Sequence, residues 1–331
     1  MSTYPRPGDR IAVVSQSGPT VTLFDAVTHE AGAVLTVPAE PHELCFDAEH
    51  RLLYCTSAYV RGYYGAHDGH NHQVTVIDPD DGEIVEVLDL SPEHGPHGLA
   101  LDPARRLLYV SVEAGPAGPG GVVVVDTTTR RVLRRIDTLA PGPHWFAIDP
   151  DGLRGYAANK EAPFVTVVDL ATGELLDKIA VAGSEGIAVS PDGATVAVAV
   201  RDAEPGVALI DTRSGTVVRT LPAAHAVIPV HWTATGLLLA GEQHRPDGRL
   251  SVWKGTSPEA LELVGTAEVG TMPLTLTSSP DGDRAYVSAV VGSTVTVVDL
   301  ADPAKPTVVD TLAVPRAGEP GAHGLAYIPA G

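Results

Sequence analysis

The sequence predicts an all-β chain folded as a seven-bladed β-propeller with four-stranded blades, and three observations carry that prediction. Short valine-rich runs alternate with Asp-Gly and Pro-Asp-Gly turns along the whole chain, as short strands joined by tight turns require. One stretch, clearest in Gly95-Pro96-His97-Gly98-Leu99-Ala100-Leu101-Asp102-Pro103, recurs at spacings of 55, 47, 41, 43, 46 and 49 residues, the period of one blade. The two ends are complementary. The amino end supplies three strands with no inner strand before them, and the carboxyl end supplies one inner strand with no outer strands after it.

The elements follow from that repeat. Ile11–Val14, Val21–Asp25 and Ala33–Val37 read as the outer strands of the closing blade. The recurring position then begins each new blade, at His42, His97, His144, Glu185, Ile228, Leu274 and His323. Behind His42 come Leu52–Cys55, Val74–Asp78 and Ile84–Leu88; behind His97 come Leu107–Ser111, Val122–Asp126 and Val132–Ile136. Behind His144 come Gly155–Ala158, Val165–Asp169 and Leu175–Ile179. Gly324–Ile328 is the inner strand that completes the seventh blade. A single unit cannot bury both its faces, so neighbours must stack, and radial closure protects the sheet edges. One propeller domain over residues 1–331 is expected, without a linker or a second domain.

Composition narrows the function. A formal net charge of -19 argues against a phosphate-backbone partner and against an anionic membrane surface. Solubility is the ordinary reading of such a charge. The two cysteines, Cys45 and Cys55, sit on neighbouring strands and read as a reduced, buried pair. No apolar run after the amino terminus resembles a signal peptide, and none reaches bilayer-spanning length, so a cytoplasmic protein is expected.

The runs Leu108-Tyr109-Val110-Ser111 and Ala285-Tyr286-Val287-Ser288, with Val-Val-Asp strands such as Val297-Val298-Asp299, carry a resemblance. The chain resembles the YVTN-type seven-bladed propellers, which are similar to lactonase-like propellers and streptogramin lyases. The resemblance spans essentially the whole chain. It implies the fold strongly and the activity weakly, because this architecture hosts many functions.

The recurring position is the main functional signal. The first strand of each propeller blade lines the central channel, so all seven positions should ring one mouth, about 51° apart. Ordered by blade, His323, His42, His97, His144 and Glu185 form one contiguous arc, and Ile228 and Leu274 fill the rest. Imidazole nitrogens and a carboxylate converging from neighbouring strands suit one divalent transition metal: iron, manganese, nickel, copper or zinc. Catalytic zinc usually takes three protein ligands and keeps one position open, so five residues overfill it. Octahedral iron, nickel or manganese accommodates five, or three histidines bind while Glu185 serves as base. A ring of hydrogen-bonding histidines, or a structural histidine in each blade, is the alternative.

The loops between second and third strands open on the same mouth. After His42 this loop is enlarged, Tyr59 to His72, with three histidines and three tyrosines in fourteen residues. It reads either as a solvated loop or as a lid, in which His67 and Tyr63 supply acid or base. Equivalent loops carry Glu113, Lys160, Arg201 and Glu242-Gln243-His244, and Lys160 and Arg201 could hold a substrate carboxylate or an enolate. His231 and His94 read as packing or supporting residues, and His29 and His50 as surface residues of the opposite face.

Three functions follow as expectations. The first is a metal-dependent enzyme acting on a small molecule at the channel mouth, by β-elimination or by lactone hydrolysis, with elimination slightly preferred because no hydrolytic nucleophile is apparent. The second is an iron or copper oxygenase or oxidase built on the four histidines. The third is a non-catalytic binding propeller.

Overall fold

In the computed structural model the described residues are 4–63, 66–200, 204–316 and 321–331. They form seven four-stranded antiparallel sheets, with a single short 3-10 turn at Pro258–Ala260 as the helical content among them. The inner strands are Pro41–Asp47, Leu99–Asp102, Pro143–Ile148, Ser184–Val189, Val227–Trp232, Pro273–Ser278 and Ala322–Ile328. Each touches the next, and the last, Ala322–Ile328, touches the first, Pro41–Asp47, so the ring closes. We number the blades 1 to 7 in that order.

Blade 7 is shared by both ends of the chain, as the repeat predicts. Ala322–Ile328 pairs antiparallel with Arg10–Ser15, Arg10 facing Ile328 and Ser15 facing Ala322. The buried Asp9 fastens this closure by accepting hydrogen bonds from the Tyr327 hydroxyl at 2.5 Å and the Ala330 amide at 2.7 Å.

The core lies between blades. Second and third strands are buried on both faces, which is why they read as unbroken valine runs rather than as alternating patterns. Outer strands such as Glu83–Asp89 are largely exposed. The aspartate closing a blade's third strand has a local job. In Asp126, Asp169 and Asp211 its Oδ1 accepts a backbone N–H three residues on, which sets the turn into the outer strand.

Cys45 and Cys55 are free thiols. They belong to different core clusters, on opposite faces of the blade 1 sheet, so alternation along adjacent strands keeps them apart. Burial pushes the Cys45 thiol up to about 12. Among the described residues no helix is long and apolar enough to cross a membrane.

Candidate functional site

A repeated backbone irregularity aims the site residues. In blade 1 the register passes from Pro41–Ser57 to Leu44–Cys55, so the inner strand spends one residue more than its partner. The same one-residue bulge occurs at His144, Glu185, Ile228, Leu274 and His323. A bulge breaks strict alternation, so the recurring residue and the one after it can both face the channel. Prolines at 41, 143 and 273 begin these strands, where a missing N–H costs no ladder hydrogen bond. His97 lies two residues ahead of its short strand, Leu99–Asp102, rather than inside it.

Hydroxyls of the second strand tie the arc together. Thr56 Oγ1 accepts from the Glu43 amide at 3.0 Å and donates to the His97 carbonyl of the next blade at 2.8 Å. Ser111 repeats this, accepting from the Gly98 amide at 2.8 Å and donating to the His144 carbonyl at 2.7 Å. The Thr/Ser of the repeated Tyr-Val-Ser run thus holds one blade's histidine backbone against the next. Close approach also needs Gly324, where a Cβ would stand 2.4 Å from the His42 carbonyl oxygen.

The four imidazoles meet at the channel mouth. The His42 ring centre lies 4.1 Å from His323, 4.5 Å from His97 and 5.4 Å from His144, and His97 lies 4.5 Å from His144. All four are buried, as are Glu43 and Glu185. Two groups of three have ligand atoms within 4.8 Å of one another: His42, His97 and His144; and His42, Glu43 and His323. The five residues expected to converge on one ion therefore divide. His323 joins the second group, and Glu185 joins neither. Glu185 Oε1 lies 3.9 Å from His144 Nε2 and 3.5 Å from Lys160 Nζ.

Tautomer and low proton affinity favour ligation. The His97 ring sits 2.6 Å from the Gly95 carbonyl, which can only accept, so Nδ1 carries the proton and Nε2 keeps its lone pair. Gly95 has a φ of +52°, and a Cβ there would meet the Glu113 side chain at 2.7 Å. Burial lowers the His97 imidazole to about 4, against the raising effects of Glu113 and the Gly95 carbonyl. Burial also holds His42 well below the ordinary histidine range, assisted by His323, His97 and His144.

A second layer surrounds the mouth. The Tyr59 hydroxyl donates to Glu113 Oε1 at 2.6 Å and lies 3.2 Å from His97 Nε2. Burial and Glu113 push this phenol above its ordinary range, so it keeps its proton. Glu113 Oε1 is 3.7 Å from His97 Nε2, and its other oxygen is 3.5 Å from His70 Nδ1. His67 stacks on Tyr59 at 3.9 Å and pairs with buried Glu40 at 2.9 Å. The enlarged segment is no loop. Leu52–Tyr63 and Ala66–Asp78 are long strands that continue the blade outward as a hairpin, with Tyr59 opposite His70 and Gly62 opposite His67. Alternating polar and aromatic residues satisfy the strand period, which the glycines obscured.

Of the expected rim residues, Lys160 reaches the arc and His67 stands one layer outside it. Arg201 and the side chain of Tyr63 lie outside the described residues. Glu242 is held in blade 5 by Arg249 at 2.7 Å and by Ser251. His231 faces the channel and hydrogen-bonds Ser278 Oγ at 2.9 Å. Sequence reasoning missed Glu43 as a site residue, though the signal was present. In the position after the recurring one, the seven blades carry Glu43, Gly98, Trp145, Gly186, Pro229, Thr275 and Gly324, and Glu43 alone is charged.

Comparison with known proteins places the chain among propellers. No protein-family model matches it. Proteins described as uncharacterized protein YncE are similar: that of Salmonella typhi is 28% identical over 216 residues, and that of Escherichia coli K12 is 27% identical over 185. The match spans 60% of this chain and 56% of the Salmonella protein. Among solved structures, the periplasmic gluconolactonase of Pseudomonas aeruginosa superposes with a TM-score of 0.76 at 17% identity, covering 98% of this chain and 99% of that one. A putative 6-phosphogluconolactonase of Bacteroides uniformis gives 0.76 at 13%, covering 97% and 100%. Hydrazine synthase of Kuenenia stuttgartiensis gives 0.72 at 20%, covering 86% and 91%. At these identities the likeness is one of fold: the chain is a seven-bladed β-propeller, the fold shared by these structures.

Proposed function

We propose that the channel mouth holds a divalent transition-metal ion on His42, His97 and His144, and that the protein hydrolyses a small lactone or related ester there. The observation that carries this is three buried imidazoles from consecutive blades with ligand atoms within 4.8 Å of one another. Three nitrogen ligands with further positions open suit zinc, and equally iron, manganese, nickel or copper. The ion would supply Lewis acidity toward a carbonyl oxygen.

The chain's own residues divide the remaining work. Lys160, 3.5 Å from Glu185, offers a positive charge to the carboxylate or developing oxyanion of the substrate. Glu185 takes a proton from the attacking water, whose oxygen bonds to the acyl carbon. As the acyl–oxygen bond opens, the same proton goes to the departing ring oxygen. Glu113 and Tyr59 steady the Nε2 side of His97. Proteins of the same fold described as gluconolactonases support a lactone over an elimination substrate.

The test is a panel of γ- and δ-lactones offered to protein loaded in turn with each of the five metals. Hydrolysis that disappears in Glu185→Gln at unchanged metal content supports the reading. Bound metal with no lactone turned over refutes the hydrolase. A second reading rests on the fourth imidazole, His323, 4.1 Å from His42, since four histidines suit redox iron or copper. Oxygen consumption by iron- or copper-loaded protein would favour it.

A further inference from the structure

We propose that the channel holds a second metal position directly beneath the first, made by Nδ1 of His42, Nδ1 of His323 and Oε1 of Glu43, with His42 shared between the two ions. This rests on the metal reading above and extends it from one ion to a pair.

The geometry of the deeper group is that of a ligand set. Glu43 Oε1 lies 3.2 Å from His323 Nδ1 and 3.8 Å from His42 Nδ1. Ligands on a tetrahedral zinc stand about 3.4 Å apart, given bonds of about 2.0–2.1 Å. Neither nitrogen completes a hydrogen bond among the described residues, although His42 is 3% exposed and His323 2%. A buried imidazole nitrogen without a hydrogen bond costs about 1–3 kcal/mol. Two such nitrogens turned toward one carboxylate make a place where an ion would relieve both. Glu43 is itself oriented from across the channel by Thr275 Oγ1, which donates to Oε1 at 3.3 Å. Such outer hydrogen bonds accompany metal-bound carboxylates.

Sharing follows from lone-pair arithmetic. Each imidazole nitrogen can bind one ion. If Nδ1 of His42 faces Glu43 and His323, only Nε2 remains for the group with His97 and His144. Filling both positions turns His42 into a bridging imidazolate, and its ring proton leaves to solvent. The Glu43 carboxylate and this imidazolate offset part of the added charge, which a third neutral imidazole could not do.

Space also reaches Glu43. A cavity of about 180 Å³ runs beneath the mouth, bounded by Glu43, Thr275, Trp145, Gly186 and His231. That is room for several waters, at about 30 Å³ each, to complete the coordination.

The experiment is a titration of metal-free protein with Zn2+, read by elemental analysis after gel filtration, followed by Cu2+ with electron paramagnetic resonance. Two equivalents per chain are expected in the wild type and one in Glu43→Gln. The resonance of the first Cu2+ should weaken as the second enters, because an imidazolate couples the two spins. That wild-type measurement decides the matter even if Glu43→Gln fails to fold. A single equivalent in wild type and Glu43→Gln alike, or two Cu2+ signals that simply add, overturns the pair and leaves the single-ion reading standing. No bound metal in the wild type overturns both.

Discussion

The mouth of this propeller has two arcs built on one backbone plan. Blades 7 and 1 to 4 present His323, His42, His97, His144 and Glu185; blades 5 and 6 present Ile228 and Leu274 at the corresponding position, bulged in every blade but that of His97. On the second arc Ile228 and Leu274 pack with Val290 into a small apolar cluster, with Trp145 and Met272 against it. The backbone device that aims a side chain into the channel is thus indifferent to what it aims. The fold supplies seven corresponding positions, and the side chains make five of them polar and two an apolar wall. That wall adds to the burial that lowers the proton affinity of His42 and His97.

Substitutions can break this division. The largest effect is expected on the polar arc, where Glu185→Gln removes the proposed proton carrier. Turnover of a lactone should fall about 10²–10⁴-fold, with metal content unchanged by elemental analysis. On the apolar arc, Leu274→Ala should cost about 2–4 kcal/mol of stability in denaturant unfolding, because it opens a cavity in a packed cluster. Metal affinity should hardly move. Loss of metal without loss of stability in Leu274→Ala would erase the distinction between the arcs.

His231 sharpens the comparison, since it is a histidine on the apolar side. Burial pulls its pKa down to about 4 from an ordinary 6.5. Between those values the unfolded chain binds a proton that the folded chain refuses. Its contribution is therefore full above pH 6.5 and is lost as pH falls toward 4. His231→Gln should flatten the stability profile across that window by about 3 kcal/mol, measured by unfolding at several pH values. An unchanged slope would show that His231 is solvated. The smallest effect is expected from Tyr59→Phe, which removes the hydroxyl 3.2 Å from His97 Nε2 and 2.6 Å from Glu113. Metal affinity should weaken about tenfold, at the lower end of what outer-layer partners contribute.

These positions differ in how legible they were. The blade repeat, the shared closing blade and the histidine arc follow from spacing alone, because a propeller converts a sequence period into a ring. Glu43 does not. Under strict alternation its side chain belongs on the opposite face from His42, and the added residue of the bulge is what turns both into the channel. The Tyr59–His72 segment was obscured for a related reason. Its glycines and charges suggest a loop, yet cross-strand pairs such as Arg61 with Asp68 hold it as a hairpin. As a result Tyr59 and Glu113, rather than His67, approach His97 most closely. The split of the arc into two groups depends on ring rotation and on Gly95 fixing the His97 tautomer, neither of which spacing encodes.

The central claim is that the arc binds metal, and elemental analysis of purified, untagged protein tests it most directly. Wild type is compared with the His97→Ala/His144→Ala variant after exposure to iron, manganese, nickel, copper and zinc. The account predicts stoichiometric transition metal in the wild type. In the variant the ion on His42, His97 and His144 should be lost, while the circular dichroism of the propeller persists. Wild-type protein that takes up none of the five metals would contradict it, and the four imidazoles would then be a hydrogen-bonding ring.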